Sequence, residues 1–177
     1  IVDLGDGNIT TIVHNAADAE LRGLELELTA QITSGLAGFI NVGLLDSEFV
    51  SFDRYDPLTQ TTINQNGVKL RNAPEKTVGL GLDYRMTVAF GDIGAHYNYT
   101  WRDETGSNLN GDSRGHQDAA GFHNASVDLS FAENYMLSVF GRNLSDERYN
   151  RATPLGITGF SQWNEGKHFG IELTAKY

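Results

Sequence analysis

The sequence predicts an all-β chain, an antiparallel transmembrane β-barrel segment of about seven to eight strands with long outer loops and short periplasmic turns. Three observations predict it. Apolar and polar residues alternate with a period of two over most of the chain. Short turns alternate with long polar connections, the asymmetry of an outer-membrane barrel. The middle of each apolar face carries no Asp, Glu, Lys or Arg, where a Lys or Arg facing lipid at mid-depth would cost about 2–4 kcal/mol.

Residues 1–20 read as a loop or hairpin rim. Gly5-Asp6-Gly7-Asn8 is turn chemistry, Ile9 to Val13 is β-prone, and Asn15 to Asp18 interrupts the pattern. From Leu21 the alternation is strict: Leu24, Leu26, Leu28, Ala30 and Ile32 share one face, and Glu25, Glu27, Thr29 and Gln31 the other. A helix would scatter those leucines around its surface, so the period decides for a strand. Thr33-Ser34-Gly35 turns the chain, and 36–45 returns with Ile40, Val42 and Leu44 in phase. Residues 46–74 are polar and turn-rich and read as a long loop. Val78, Leu80, Leu82 and Tyr84 then alternate with Thr77, Gly79, Gly81 and Asp83, and a tight connection is expected at 85–87. The next strand sets Ile93, Ala95, Tyr97, Tyr99 and Trp101 against Gly94, His96, Asn98, Thr100 and Arg102. Residues 103–121 form a second long loop. Ala125, Val127, Leu129 and Phe131 oppose Asn124, Ser126, Asp128 and Ser130, Ala132 to Asn134 turns, and Leu137, Val139 and Gly141 oppose Ser138, Phe140 and Arg142. A third long loop opens at Asn143. The last strand sets Phe169, Ile171, Leu173, Ala175 and Tyr177 against Gly170, Glu172, Thr174 and Lys176, and its final aromatic suits the lipid headgroup boundary.

Composition supports the class. Hydrophobic content of 40% with 20 glycines points away from a helical bundle, and no run of 18 apolar residues offers a spanning helix. The first residues lack the basic and apolar parts of a signal peptide, which fits a cytosolic chain, a mature one or a piece of a longer one. There is no Cys, hence no disulfide framework or thiol chemistry. A net charge of -10 argues against nucleic acid as a partner.

Four segments resemble the C-terminal portion of a TonB-dependent outer-membrane receptor. They are Asn15 to Glu27 with its Gly23-x-Glu25 strand; Leu70-Arg71-Asn72-Ala73-Pro74 ahead of a strand; Gly141 to Tyr149, similar to an Asn-Leu-x-Asp-x-x-Tyr motif; and the closing strand from Gly166. Two positions depart from the pattern, Lys167 where the family usually has Arg and Tyr177 where it usually ends in Phe. The resemblance implies a barrel of about 22 strands with a plugged lumen. Residues 1–177 would be the C-terminal part of it, without the plug domain or the N-terminal strands. It also implies an outer-membrane location in a Gram-negative bacterium, with the lipid bilayer and the barrel-assembly machinery as partners. The energy-transducing TonB complex would act through the plug, and the ligand would be a small molecule such as an iron chelate. The stretch from Gly159 to Gly170 looks most like the ferric-siderophore branch.

Within that reading, Arg54, Tyr55, Arg102, His116 and Trp163 are the candidate ligand contacts, because an anionic ferric complex suits Arg and aromatic surfaces. Arg and aromatic residues in long loops are also commonly solvated or packed at a rim. Glu25, Glu27, Asp83, Asp128, Arg142, Glu172 and Lys176 fall on the lumen side, facing either a plug or simply water. Phe169, Ile171, Leu173, Ala175 and Tyr177 form the strand by which assembly would proceed. His14, His96, His116, His123 and His168 lack metal-site spacing and are expected to be scattered and solvated. Asn108, Asn110 and Asp112 around Gly111 lack the glutamate of a calcium loop. No cofactor, metal or catalysis is expected. Two other readings stay open on residues alone, a complete small outer-membrane barrel with a structural or lipid-modifying role, and a soluble carbohydrate-binding β-sandwich.

Overall fold

The computed structural model describes residues 2–3, 9–10, 17–56, 59–106, 115–150 and 162–176. Seven long strands form one antiparallel sheet: β3 (Ala17–Gln31), β4 (Leu36–Asp56), β6 (Lys76–Val88), β7 (Gly91–Arg102), β10 (Ala120–Phe131), β11 (Tyr135–Arg142) and β12 (His168–Ala175). Their order is β12-β11-β10-β7-β6-β4-β3, a meander in which each strand lies beside its neighbours in the chain. The short strands are accessory: β1 (Val2–Asp3) pairs β2 (Ile9–Thr10), β5 (Thr61–Asn64) extends β4, and β8 (Thr105–Gly106) pairs β9 (His116–Gln117). The expected Gly5–Asn8 turn, His14, the Asn108–Asp112 stretch and Tyr177 lie outside the described residues.

Register turns the one-dimensional alternation into two faces. Leu28, Ile40, Leu80, Tyr99 and His123 form one continuous row across five strands. Two residues on, Leu26, Val42, Val78 and Trp101 form the next. Asp83, His96, Ser126, Phe140 and Gly170 form a row on the opposite side. Large apolar side chains on the first face are open, Ile171 at 75% and Leu24 at 66% exposure, while Ala120 is the sole fully buried hydrophobic among the described residues. Among the described residues no second layer covers the greasy face, so there is no sandwich core, and such a face is what a barrel wall presents to lipid. Above Leu24 and Leu44 the same face turns charged, with Glu20, Arg22, Asp46 and Glu48 in phase, which marks the upper edge of the apolar band. β3 and β12 end the sheet on opposite sides and do not pair, so the sheet is open among the described residues.

Three boundaries differ from expectation. Residues 46–56 are strand rather than loop: β4 runs on to Asp56 and pairs β5. Residues 85–87 are strand rather than turn, since Arg85, Met86 and Thr87 pair Gly94, Ile93 and Asp92, and the chain reverses at Ala89-Phe90. Two strands begin earlier at the long-loop end than the alternation implies, β3 at Ala17 and β10 at Ala120. The turns expected at 33–35 and 132–134 stand, the first beginning one residue earlier at Ile32, so the three short connections share one end of the sheet and the three long ones the other.

Candidate functional site

The polar face holds the first cluster. Asp83 on β6, His96 on β7 and Asp128 on β10 alternate inward, and pairing brings them together across three strands. His96 Nδ1 lies 2.5 Å from Asp83 Oδ1, and its Nε2 lies 3.1 Å from Asp128 Oδ2. The Ser138 hydroxyl donates to the other oxygen of Asp128. With Arg142 and Glu172 these residues edge a shallow depression of about 390 Å3. The Arg142 guanidinium lies over the Phe140 ring, 5.4 Å from its centre. Glu25 and Glu27 lie on the same face of β3, opposite Gly43 and Asn41, and Lys176 lies at the turn end, its amide donating to the Asn134 carbonyl at 2.9 Å. By register Glu25, Glu27, Asp83, Asp128, Arg142 and Glu172 share the polar face of the sheet. The expectation of solvated, scattered histidines does not hold for His96 or for His123, whose Nδ1 is 2.7 Å from the Tyr97 hydroxyl on the apolar face.

A second cluster closes the base of the last long loop. Asn143 is buried; its amide donates to the carbonyls of Glu147 at 2.9 Å and Glu165 at 3.0 Å, and its side-chain oxygen accepts the Glu147 amide at 2.9 Å. Asn164 mirrors it, donating to Glu147 and Glu165 and accepting from the Tyr149 amide at 2.9 Å. Asp146 accepts the Lys167 amide at 2.8 Å, and this bond, aided by the Arg148 guanidinium, holds its carboxyl below the ordinary carboxylate range. The clamp lays Tyr149 over the polar face, where its ring meets Phe122 edge-on at 5.7 Å and carries the Arg102 guanidinium at 4.7 Å.

The five candidate ligand contacts are dispersed. Arg102 is held by Tyr149 and by Gln117 at 3.2 Å. His116 faces Asp118 at 3.3 Å in the 103–119 connection. Trp163 is open and bridges Asn150 beside the clamp. Arg54 and Tyr55 lie on opposite faces of the β4 extension. Residue-by-residue reading missed Asn164, Phe122 and the joining of Asp83, His96 and Asp128; the in-phase polar positions signalled the last, but only register assembles them.

A family model described as TonB dependent receptor-like, beta-barrel, matches residues 1–144. No curated relative matches the chain. Among solved structures, the ferric yersiniabactin uptake receptor FyuA from Yersinia pestis superposes with a TM-score of 0.76 at 21% identity, covering 92% of this chain and 24% of that one. The siderophore receptor PiuA from Acinetobacter baumannii gives 0.73 at 19% identity, covering 91% and 22%. At these identities the likeness is one of fold, and the chain spans about a quarter of either receptor's length.

Proposed function

Because the chain belongs to the TonB-dependent receptor β-barrel family, we propose that it forms part of the wall of an outer-membrane receptor for energy-coupled uptake of a ferric siderophore or similar iron chelate. The observation that carries the reading is the division of one sheet into a polar face and an apolar face that is free of charge through its middle, with the long connections gathered at one end. That is a wall between lipid and a wet lumen, with loops placed to meet a ligand. The two solved receptors it resembles are, by name, receptors for siderophores. In this reading residues 1–177 supply the C-terminal part of the barrel. The lumen charges face a plug through which the TonB complex acts, the strand from Phe169 engages the assembly machinery, and the chain performs no catalysis. Of the loop-end side chains, Arg54, His116 and Trp163 would meet the ligand; Arg102, held by Tyr149 and Gln117, would line the site, and Tyr55 would serve at the outer rim.

The test is deletion of the complete gene in its native host, followed by radio-iron uptake from ferric chelates under iron limitation. Loss of uptake of one chelate, restored by the wild-type gene and recovered in the outer-membrane fraction, is expected. Unchanged uptake of every chelate would overturn the iron reading.

A further inference from the structure

Above the bilayer, a one-residue bulge decides which side chains of β4 reach the lumen side. Up to Phe49, odd-numbered residues lie on the polar face: Phe39 pairs Thr29, Asn41 pairs Glu27 and Phe49 pairs Ala19. Val50 is then passed over, Ser51 pairs Asp18, and Phe52 pairs Ala17. The phase inverts, as a bulge requires, so Phe52 and Arg54 continue the lumen face while Asp53 and Tyr55 take the other. Without the extra residue Arg54 would point away from the lumen.

The inverted segment is held in place. Arg54 pairs Ile63 of β5, the Phe52 amide donates to Asn66 Oδ1 at 2.9 Å, and Asn64 donates to Asp53 at 2.8 Å on the far side. Yet the Nε–H of Arg54 is buried and has no hydrogen-bond partner among the described residues. A buried donor without an acceptor is costly, and the cost falls when an acceptor reaches the guanidinium. Phe49 and Phe52, with ring centres 4.8 Å apart, place aromatic surface along the same face. Arg102, by contrast, already spends its guanidinium on Tyr149 and Gln117.

Resting on the receptor reading above, we infer that Arg54 is the specificity-determining contact for an anionic, aromatic ferric chelate, which the Val50 bulge turns toward the lumen. The guanidinium would bond the negatively charged oxygens of the chelate while the Phe49–Phe52 pair packs against its rings. In a chain of net charge -10, a cation aimed inward also offsets the repulsion an anionic ligand would otherwise meet.

The experiment uses the full-length receptor in detergent, with two probes: the anionic ferric complex of a tris-catecholate and the neutral ferric complex of a tris-hydroxamate. Wild type is expected to prefer the anionic probe. Arg54→Gln should weaken that binding by about tenfold to a hundredfold, and Arg54→Lys by less, since charge is kept and the planar fork lost. Deleting Val50, which restores the uninterrupted phase, should reproduce the Arg54→Gln loss in a barrel that still shows heat-modifiable migration. Arg54→Gln binding the anionic probe within twofold of wild type, or wild type preferring the neutral probe, would overturn the assignment. Wild type binding neither ferric complex would instead overturn the iron-chelate reading, and the role of Arg54 with it.

Discussion

Gly170 has no room for a side chain. A Cβ there would overlap the Phe140 ring on the neighbouring strand, and on the opposite face a Cβ at Gly141 would overlap the ring of Phe169. Aromatic rings laid across glycines cover backbone that would otherwise be bare and fix β12 against β11 in one register. Gly170→Ala should therefore cost about 1–3 kcal/mol through overpacking, and much less in a Phe140→Ala background, where the ring is gone. A double-mutant cycle on denaturant midpoints of the full-length barrel measures the coupling; equal costs in both backgrounds would refute the pairing. Asp146 gives a pH-dependent counterpart. Its folded-state pKa is lowered, first by the Lys167 amide and then by Arg148. The unfolded state therefore binds the proton more readily, so its stabilisation is present above the ordinary value of 3.8 and is lost as pH falls through the lowered folded value. Hydrogen exchange at the Lys167 amide should lose protection on acidification below that value. In Asp146→Asn, which keeps an acceptor without titrating, the loss should vanish relative to neighbouring amides.

At the scale of the element, strands were legible wherever lipid imposes a period of two and illegible where it does not. β3 and β10 announce themselves through Leu24 to Ile32 and Ala125 to Phe131. Residues 46–56 are just as extended, but they stand above the apolar band, face no lipid, and so carry Asp, Ser, Glu and Arg without alternation. The turn expected at 85–87 failed for a related reason: Arg85 and Thr87 are lumen-facing polar residues, and Met86 and Val88 continue the apolar phase between and beyond them. The β10–β11 turn was placed correctly, though its conformation was hidden. Ala132 and Glu133 sit at φ of 48° and 61°, a region that disfavours residues with a Cβ. Ala132→Gly should stabilise the hairpin by about 0.5–1 kcal/mol, seen as a higher unfolding midpoint, while Ala132→Val should lower it. A lower midpoint for the glycine variant would show that the turn does not carry that strain.

For the molecule as a whole, the two faces were readable from composition of alternate positions, but the clusters on them were not. Asp83, His96 and Asp128 meet only because β6, β7 and β10 lie side by side in a particular register, and no local pattern specifies register over such separations. The Asn143–Asn164 clamp likewise joins the two ends of a loop whose sequence shows turn chemistry but not closure. What the alternation did fix is which environment each face meets, and that has a direct thermodynamic consequence. Val127 is half-exposed in the middle of β10, flanked by Ala95 and Val139 on the apolar face, and Ser126 beside it faces the lumen. A lysine at Val127 would have to leave water for hydrocarbon or drag its ammonium toward the headgroups, whereas a lysine at Ser126 stays in a wet, acidic lumen near His96. Reversible folding of the full-length barrel into lipid vesicles should therefore show Val127→Lys less stable by about 2–4 kcal/mol and Ser126→Lys within about 1 kcal/mol of wild type. The asymmetry should disappear in a water-soluble setting, because Val127 is the more exposed of the two and its lysine would reach solvent directly; equal penalties in the bilayer would mean that the apolar face does not meet lipid.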